Sequence, residues 1–301
     1  MKSEPGQGES IRTAPKHRAI LPLILLAYLA LGALYALRTP LWQTPDEPAH
    51  YNYVLWVAEH GTLPDLRAGD YPAAYLEEIK AARFPPGLSI ESIRYESHQP
   101  PLYYALAALV ARAARPWLGG RLPYLLRLLS VALGALTLLV AHRAVRAAAP
   151  RQPGLALAAV ALAATLPMHV AMTAAINNDA LAELMLNLAA LAVLRGADMP
   201  ATARWSPRRC AGLGLLLGLA FLTKMQSYAA FGAALAALAY DAWRRDLALG
   251  EALTPRQGLA GRQVLGRGAL MLGVAALVAA PWLVRNGLVY GWDDLLALRR
   301  H

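Results

Sequence analysis

Long apolar stretches dominate this chain. The clearest cover residues 19–37, 123–141, 155–175, 180–194, 211–240 and 268–288, with arginine-rich patches between them. Runs of about 18 or more apolar residues with few charges mark membrane-crossing helices. The pattern predicts an all-α, polytopic membrane protein. The run at 211–240 does not fit one crossing. As a single helix it would extend about 45 Å, at about 1.5 Å per residue, against a hydrocarbon core of roughly 30 Å.

Charge resolves that misfit. Arg143, Arg146 and Arg151 follow the second run. Arg195, Arg204, Arg208 and Arg209 follow the fourth, and Arg244, Arg245, Arg256, Arg262 and Arg267 follow the fifth. Loops on the cytoplasmic side collect lysine and arginine. Placing these patches and the basic amino terminus (Lys2, Arg12, Lys16, Arg18) in the cytoplasm makes the 211–240 run cross twice. It becomes a hairpin with its tip at Thr223-Lys224-Met225-Gln226-Ser227, and about seven crossings result. One long tilted helix with a buried Lys224 is the alternative, and it puts one arginine patch on the wrong side. The first run is long enough to be a retained helix rather than a cleaved signal peptide.

The domain reading is then a cytoplasmic tail, residues 1–18, and a single transmembrane domain, 19–301. A long first extracytoplasmic loop, 38–122, holds eight basic residues against nine acidic ones, unlike the basic patches. Within it, 101–115 is apolar but short and interrupted by arginine. It reads as a helix lying in the interface, with Tyr103, Tyr104 and Trp117 at headgroup depth. No internal repeat is evident.

Composition narrows the function classes. Hydrophobic residues make up 57% of the chain, mean hydropathy is +0.36 and the formal charge is +10. That charge sits in the short patches, which argues against nucleic acid as a partner. A single cysteine, Cys210, excludes an internal disulfide.

The predicted topology gathers the unusual polar residues on one side. Asp46, Glu47 and His50 follow the first span. Glu96, His98 and Gln99 precede the interfacial helix, and Asn177, Asn178 and Asp179 lie between the third and fourth spans. Lys224 sits at the hairpin tip, and Arg285 and Asn286 close the last span. Apart from Arg127 and Glu183, the apolar runs carry almost no other charge. Ionisable groups at membrane depth are costly, about 2.5–3.5 kcal/mol each, and so become functional candidates.

Each has a bland alternative. Thr44 and Glu47 have the spacing of a capping box with Pro45 at the first helical position, or Asp46 itself caps a helix starting at Glu47. Capping uses one carboxylate and leaves the other, and Asp46 and His50 share a helix face. Glu47 reads as structural. Asn177-Asn178-Asp179 is also a turn-and-cap sequence. Lys224, in a chain that otherwise favours arginine, suggests a point charge aimed at an anion, with snorkelling as the alternative. Arg285 offers a fork matched to phosphate or carboxylate. Asp46, His50, Glu96 and His98 are compatible with a divalent metal, but no spacing demands one.

In this arrangement the chain resembles GT-C fold membrane glycosyltransferases, in particular the branch of protein O-mannosyltransferases and lipid A aminoarabinose transferase. The resemblance rests on PDEPAH after the first span, SHQPPLYYAL and RLPYLLRLLSVALGALTLL around the second, INNDAL after the third, GLAFLTK in the hairpin and PWLVRNGLVYG at the end. It implies an inverting transfer from a polyprenyl-phosphate sugar to a lipid, glycan or protein acceptor, at the outer face of a bacterial cytoplasmic membrane. It implies Asp46 as general base, Asp179 as a second acid lining the cavity, and Lys224 and Arg285 against the donor phosphate. Glu47, His50, Glu96, His98 and Asn178 become supporting residues, and no cofactor is required. Family members usually continue through further spans, so the sequence to His301 is expected to hold the shared core alone, which is incomplete or inactive on one reading. A non-catalytic lipid-linked-sugar binder or flippase is the competing class. A transporter is less favoured, because only one segment looks broken.

Overall fold

The computed structural model describes residues 16–196, 199, 201–248 and 255–299, without the side chains of 16–18, 201–202, 245–248 and 255–260. Most of the tail assigned to 1–18, including Lys2 and Arg12, lies outside the described residues, as do the side chains of Lys16, Arg18, Arg245 and Arg256. Among the described residues the regular structure is helical, with no strand. The helices are α1 (Lys16–Arg38), α2 (Glu47–His60), α3 (Ala73–Ala81), α4 (Leu102–Leu118), α5 (Leu122–Ala148) and α6 (Pro153–Thr165). They continue with α7 (Pro167–Thr173), α8 (Asp179–Leu194), α9 (Ala201–Arg204), α10 (Pro207–Phe221), α11 (Tyr228–Ala248) and α12 (Pro255–Tyr290).

Proline and glycine set many of the boundaries. Pro48, Pro123, Pro153, Pro167 and Pro207 stand in first turns, where a missing N–H costs nothing. Gly61 ends α2 at φ 71°, its N–H bonded to the Val57 carbonyl. α1 is apolar all round, and Leu23, Leu26, Leu34 and Leu37 are exposed along it, as suits a helix facing lipid.

Three helical stretches are long and apolar enough to cross a membrane: Ala19–Arg38, Leu102–Ala148 and Gly261–Tyr290. A fourth is α6 with α7, but it is not the straight span that the 155–175 run suggests. The two helices bend by 68°. Pro167 supplies no amide for a continued helix, and Leu166 adopts an extended backbone before it.

The 211–240 run is two helices. α10 ends at Phe221, a 3-10 turn covers Met225–Ser227, and α11 begins at Tyr228. α10 runs alongside α12 in the same direction, since Gly214 faces Met271 and Val274 while Gly218 faces Ala275 and Val278. α11 runs the other way: Phe231 meets Phe221, and Leu235 and Leu238 reach back to Gly268. At the arginine-rich end Arg204 pairs with Asp241, while Arg209 and Arg204 donate to the Ala192 and Gly196 carbonyls at the foot of α8.

α5 is the centre of one half, packed by α1, α4, α6 and α8, and α8 also touches α10 and α11 of the other half. In the loop, Tyr103 and Tyr104 are fully buried against α2 and α5, so they face the protein interior, whereas Trp117 is exposed. Tyr104 stacks on Tyr53 at a centroid distance of 3.6 Å, and Tyr103 hydrogen-bonds Ser130 at 3.3 Å. Both rings thus find aromatic and hydroxyl partners inside the protein.

Candidate active site

The two adjacent carboxylates have opposite fates. Glu47 is fully buried and bidentate to Arg127, at 2.7 Å from Nε and 2.6 Å from Nη2. Glu47 also accepts from the Trp42 and Ile176 amides at 3.0 and 3.2 Å. The remaining Arg127 N–H groups donate to the carbonyls of Ala36, Thr39 and Pro40. The pair therefore satisfies carbonyls at the end of α1, and it ties α1, α2, α5 and the turn before α8 together. Removing either partner would leave a buried charge uncompensated, a loss of about 3–5 kcal/mol. The isolated arginine in an apolar run was the signal for this pair, and its partner was not readable.

Neither capping arrangement forms. Asp46 does precede α2, but at φ 59°, and its side chain makes no cap bond. N-caps usually adopt extended backbone, which aims the side chain at the first amides. The left-handed conformation turns Asp46 outward instead, where its Oδ1 accepts from the Tyr95 hydroxyl at 2.8 Å. Asp46 is exposed. It lines a cavity of about 300 Å³ together with Trp42, Thr44, Lys80, Phe84 and Tyr95.

A second group of residues lies behind it. The Asn178 amide donates to Gln99 Oε1 at 3.3 Å and to the Thr223 carbonyl at 2.9 Å, and the Leu102 amide donates to the Leu222 carbonyl. These bonds stitch the segment before α4, the start of α8 and the hairpin tip into one unit. Asn177 does the capping, its Oδ1 accepting from the Asp179 amide at 3.1 Å. Lys224 has a partner within the protein. It pairs with Asp179, and both are partly shielded.

Glu96 connects this group to Asp46. It is 7% exposed, and its Oε2 is buried without a hydrogen-bond partner. Burial pushes its carboxyl up to about 7; Gln99 and Lys224 pull it down, and the charges of Asp46 and Asp179 push it up. Four of the residues picked out by sequence, Asp46, Glu96, Asp179 and Lys224, thus share one electrostatic neighbourhood. His50 is held neutral, its imidazole pushed down to about 3 by burial and then by the nearby Lys224 and His98. Its Nδ1 lies 2.7 Å from the Tyr104 hydroxyl, so it holds that ring in place. His98 Nδ1 lies 2.9 Å from the Tyr95 carbonyl. Among the described residues no group of His, Cys, Asp or Glu is arranged to hold a metal ion.

Arg285 stands apart. Its guanidinium is engaged with the Pro64 carbonyl at 2.7 Å, with Asp65, and with Asn286 and Tyr290. Tyr290 in turn accepts from the Leu66 amide at 2.8 Å. The end of α12 is thereby clamped to the loop after α2.

This helical chain carries its polar cluster at the end opposite the arginine patches, and residues 98–253, just over half of it, match the family model described as dolichyl-phosphate-mannose-protein mannosyltransferase. The chain belongs to this family. It is accordingly a membrane glycosyltransferase. Within the mannosyltransferase-family match lie His98, Gln99, Asn178, Asp179 and Lys224, whereas Asp46, Glu47 and Arg285 fall outside it. No curated protein and no solved structure matches the chain. Sequence reasoning missed Tyr95, Trp42 and Phe84 around Asp46. Their approach depends on the turns of the loop, which no periodicity reports.

Proposed function

We propose that the protein is an inverting glycosyltransferase of the GT-C type, transferring a sugar from a polyprenyl-phosphate donor to an acceptor hydroxyl. The observation that carries this reading is the placement of Asp46: exposed at a cavity, oriented by Tyr95, and within electrostatic reach of the Glu96–Asp179–Lys224 group. Inverting substitution at an anomeric carbon needs a carboxylate to take the acceptor proton as attack proceeds, and Asp46 has an accessible oxygen for it. The leaving lipid phosphate gains negative charge, which a fixed cation in a shielded site stabilises best. Lys224 is that cation, held by Asp179 until the donor phosphate arrives. Arg285 anchors the 63–66 loop and adds its charge to the same end. Glu47, His50, His98 and Asn178 support the site by fixing the elements around it.

The reading includes seven crossings of a bacterial cytoplasmic membrane, with the polar cluster outside and the arginine patches inside, as the charge bias favours. Purified protein given a panel of polyprenyl-phosphate sugars, with Asp46→Asn in parallel, tests it. We expect turnover in the wild type and a loss of about 10²–10⁴-fold in the variant, with donor binding kept. Tight donor binding without turnover in either protein would instead mark a lipid-linked-sugar binder.

A further inference from the structure

The cavity in front of Asp46 is built differently from the cluster behind it. None of Glu96, Asp179 or Lys224 lines it. Three of its lining residues are aromatic: Trp42, Phe84 and Tyr95. Two of these residues and the base adopt backbone that bulky side chains rarely take. Of the five non-glycine residues with positive φ among the described residues, Trp42 (69°), Asp46 (59°) and Phe84 (53°) line this cavity, and Arg83 (59°) adjoins Phe84. Such strain survives only where the surrounding structure enforces it, and it concentrates at ligand sites. Glu47 supplies part of that enforcement by holding the Trp42 amide, and the Phe84 amide is bonded to the Ile79 carbonyl at 2.8 Å.

The hydrogen-bonding inventory says what the cavity suits. About half of its backbone is closed to a ligand, and the Gln43, Thr44 and Asp46 backbone amides remain open. Pro45 and Pro48 have no N–H, and the Trp42, Phe84 and Leu76 amides are already bonded. An extended peptide commonly adds to an open strand edge, and the described residues contain no strand. The side chains that line the cavity add further polar groups: the Gln43 amide, the Thr44 hydroxyl, the Lys80 ammonium and the Asp46 carboxylate. Aromatic faces combined with side-chain donors and acceptors match a pyranose, whose C–H faces stack on the negative face of a ring while its hydroxyls seek hydrogen bonds. At about 300 Å³ the cavity is at the lower end for a small-molecule site, on the scale of one or two sugar rings.

We propose that the cavity bounded by Trp42, Phe84 and Tyr95 is the acceptor subsite, and that the acceptor is a carbohydrate presenting a ring hydroxyl to Asp46. The inference rests on the glycosyltransferase reading above and names its acceptor class. Asp46 then stands between two compartments, with the acceptor sugar on its cavity side and the donor phosphate at Lys224.

Acceptor binding needs no donor, so it can be measured apart from turnover. The probes are methyl α-mannopyranoside, methyl β-glucopyranoside, maltose and a blocked Ala-Ser-Ala-Thr-Ala peptide, each followed by saturation-transfer NMR on the full chain in nanodiscs. We expect transfer to at least one sugar and none to the peptide. The sugar signal should fall at least five-fold in Phe84→Ala and in Gln43→Ala; Gln43 is exposed, so its replacement leaves the fold intact. No transfer to any of the sugars, sugar transfer unchanged in both variants, or peptide transfer lost in them would overturn the assignment. Asp46-dependent donor turnover without sugar binding would sink this subsite alone. Sugar binding in a chain that shows no turnover with any donor would keep the subsite and sink the transferase reading.

Discussion

At the scale of single residues the sharpest contrast is between Glu47, whose four hydrogen bonds leave it nothing to offer a substrate, and Glu96, whose Oε2 has no bond at all. Both are buried, and only one is stabilised as a charge. Burial raises the Glu96 carboxyl to about 7, so the folded protein keeps a proton there that the unfolded chain releases near 4.5. A raised carboxyl contributes most stability below the unfolded value and loses it as pH climbs through the folded one. From pH 5 to pH 8 the contribution of Glu96 should therefore fall, by up to about 3 kcal/mol for a shift of this size. Glu96→Gln keeps the shape and removes the titration. Melting of the two proteins in nanodiscs across that range checks this: the wild type's Tm relative to the variant's should fall as pH rises from 5 to 8. Parallel slopes would mean that Glu96 does not titrate there. His50 acts in the opposite sense: burial keeps it neutral down to about 3, while the unfolded chain takes up a proton near 6.5. Its contribution therefore grows as pH rises from 5, in wild type and variant alike, and offsets much of the Glu96 loss.

At the scale of elements, the packing of α10 on α12 depends on the absence of side chains. A Cβ on Gly214 would lie 2.4 Å from the Met271 carbonyl oxygen, and one on Gly218 would lie 2.8 Å from Val278 Cβ and 3.0 Å from the Ala275 oxygen. Two glycines four apart let helices approach closely where apolar burial gives no driving force against lipid. Gly214→Val should push α12 outward and loosen the Arg285 clamp on the 63–66 loop, lowering Tm by several degrees and weakening turnover. Gly212→Val, two residues away on another face of α10 with open space around it, should leave both near wild type. Equal effects at the two positions would mean that propensity, not contact, decides. These glycines also show what is legible in a sequence. Apolar runs, the arginine patches and the break at Thr223–Ser227 follow from length and charge, which are local properties. The bend at Pro167 has a local cause too, but hydropathy ran straight through it. The burial of Tyr103 and Tyr104 depends on α2 arriving beside α4, and the Glu47–Arg127 pair joins residues 80 apart. Asp46 and Glu47 show the limit most clearly, since one positive φ separates a buried anchor from an exposed carboxylate. No pattern of residue types carries that information.

At the scale of the whole molecule, the two ends are chemically unlike. One gathers Asp46, Glu96, Asp179, Lys224 and Arg285. At the other, Arg204 and Arg209 hold the foot of the hairpin against the end of α8. In the proposed reading donor and acceptor meet at the first end, so the side on which it lies decides which substrates are within reach. The proposed topology, which follows cytoplasmic arginine enrichment, has the polar end outside. Single cysteines test this directly in a Cys210→Ser background, which removes the only native thiol. Thr62→Cys and Glu77→Cys report on the loop near the site, and Arg208→Cys reports on the arginine end; all three positions are exposed. A membrane-impermeant maleimide applied to intact cells should label the first two. Arg208→Cys should label only after the cells are permeabilised. The reverse pattern would place Asp46 in the cytoplasm, where nucleotide-activated sugars compete as donors, and the case for a polyprenyl-phosphate donor at Lys224 would lose its topological basis.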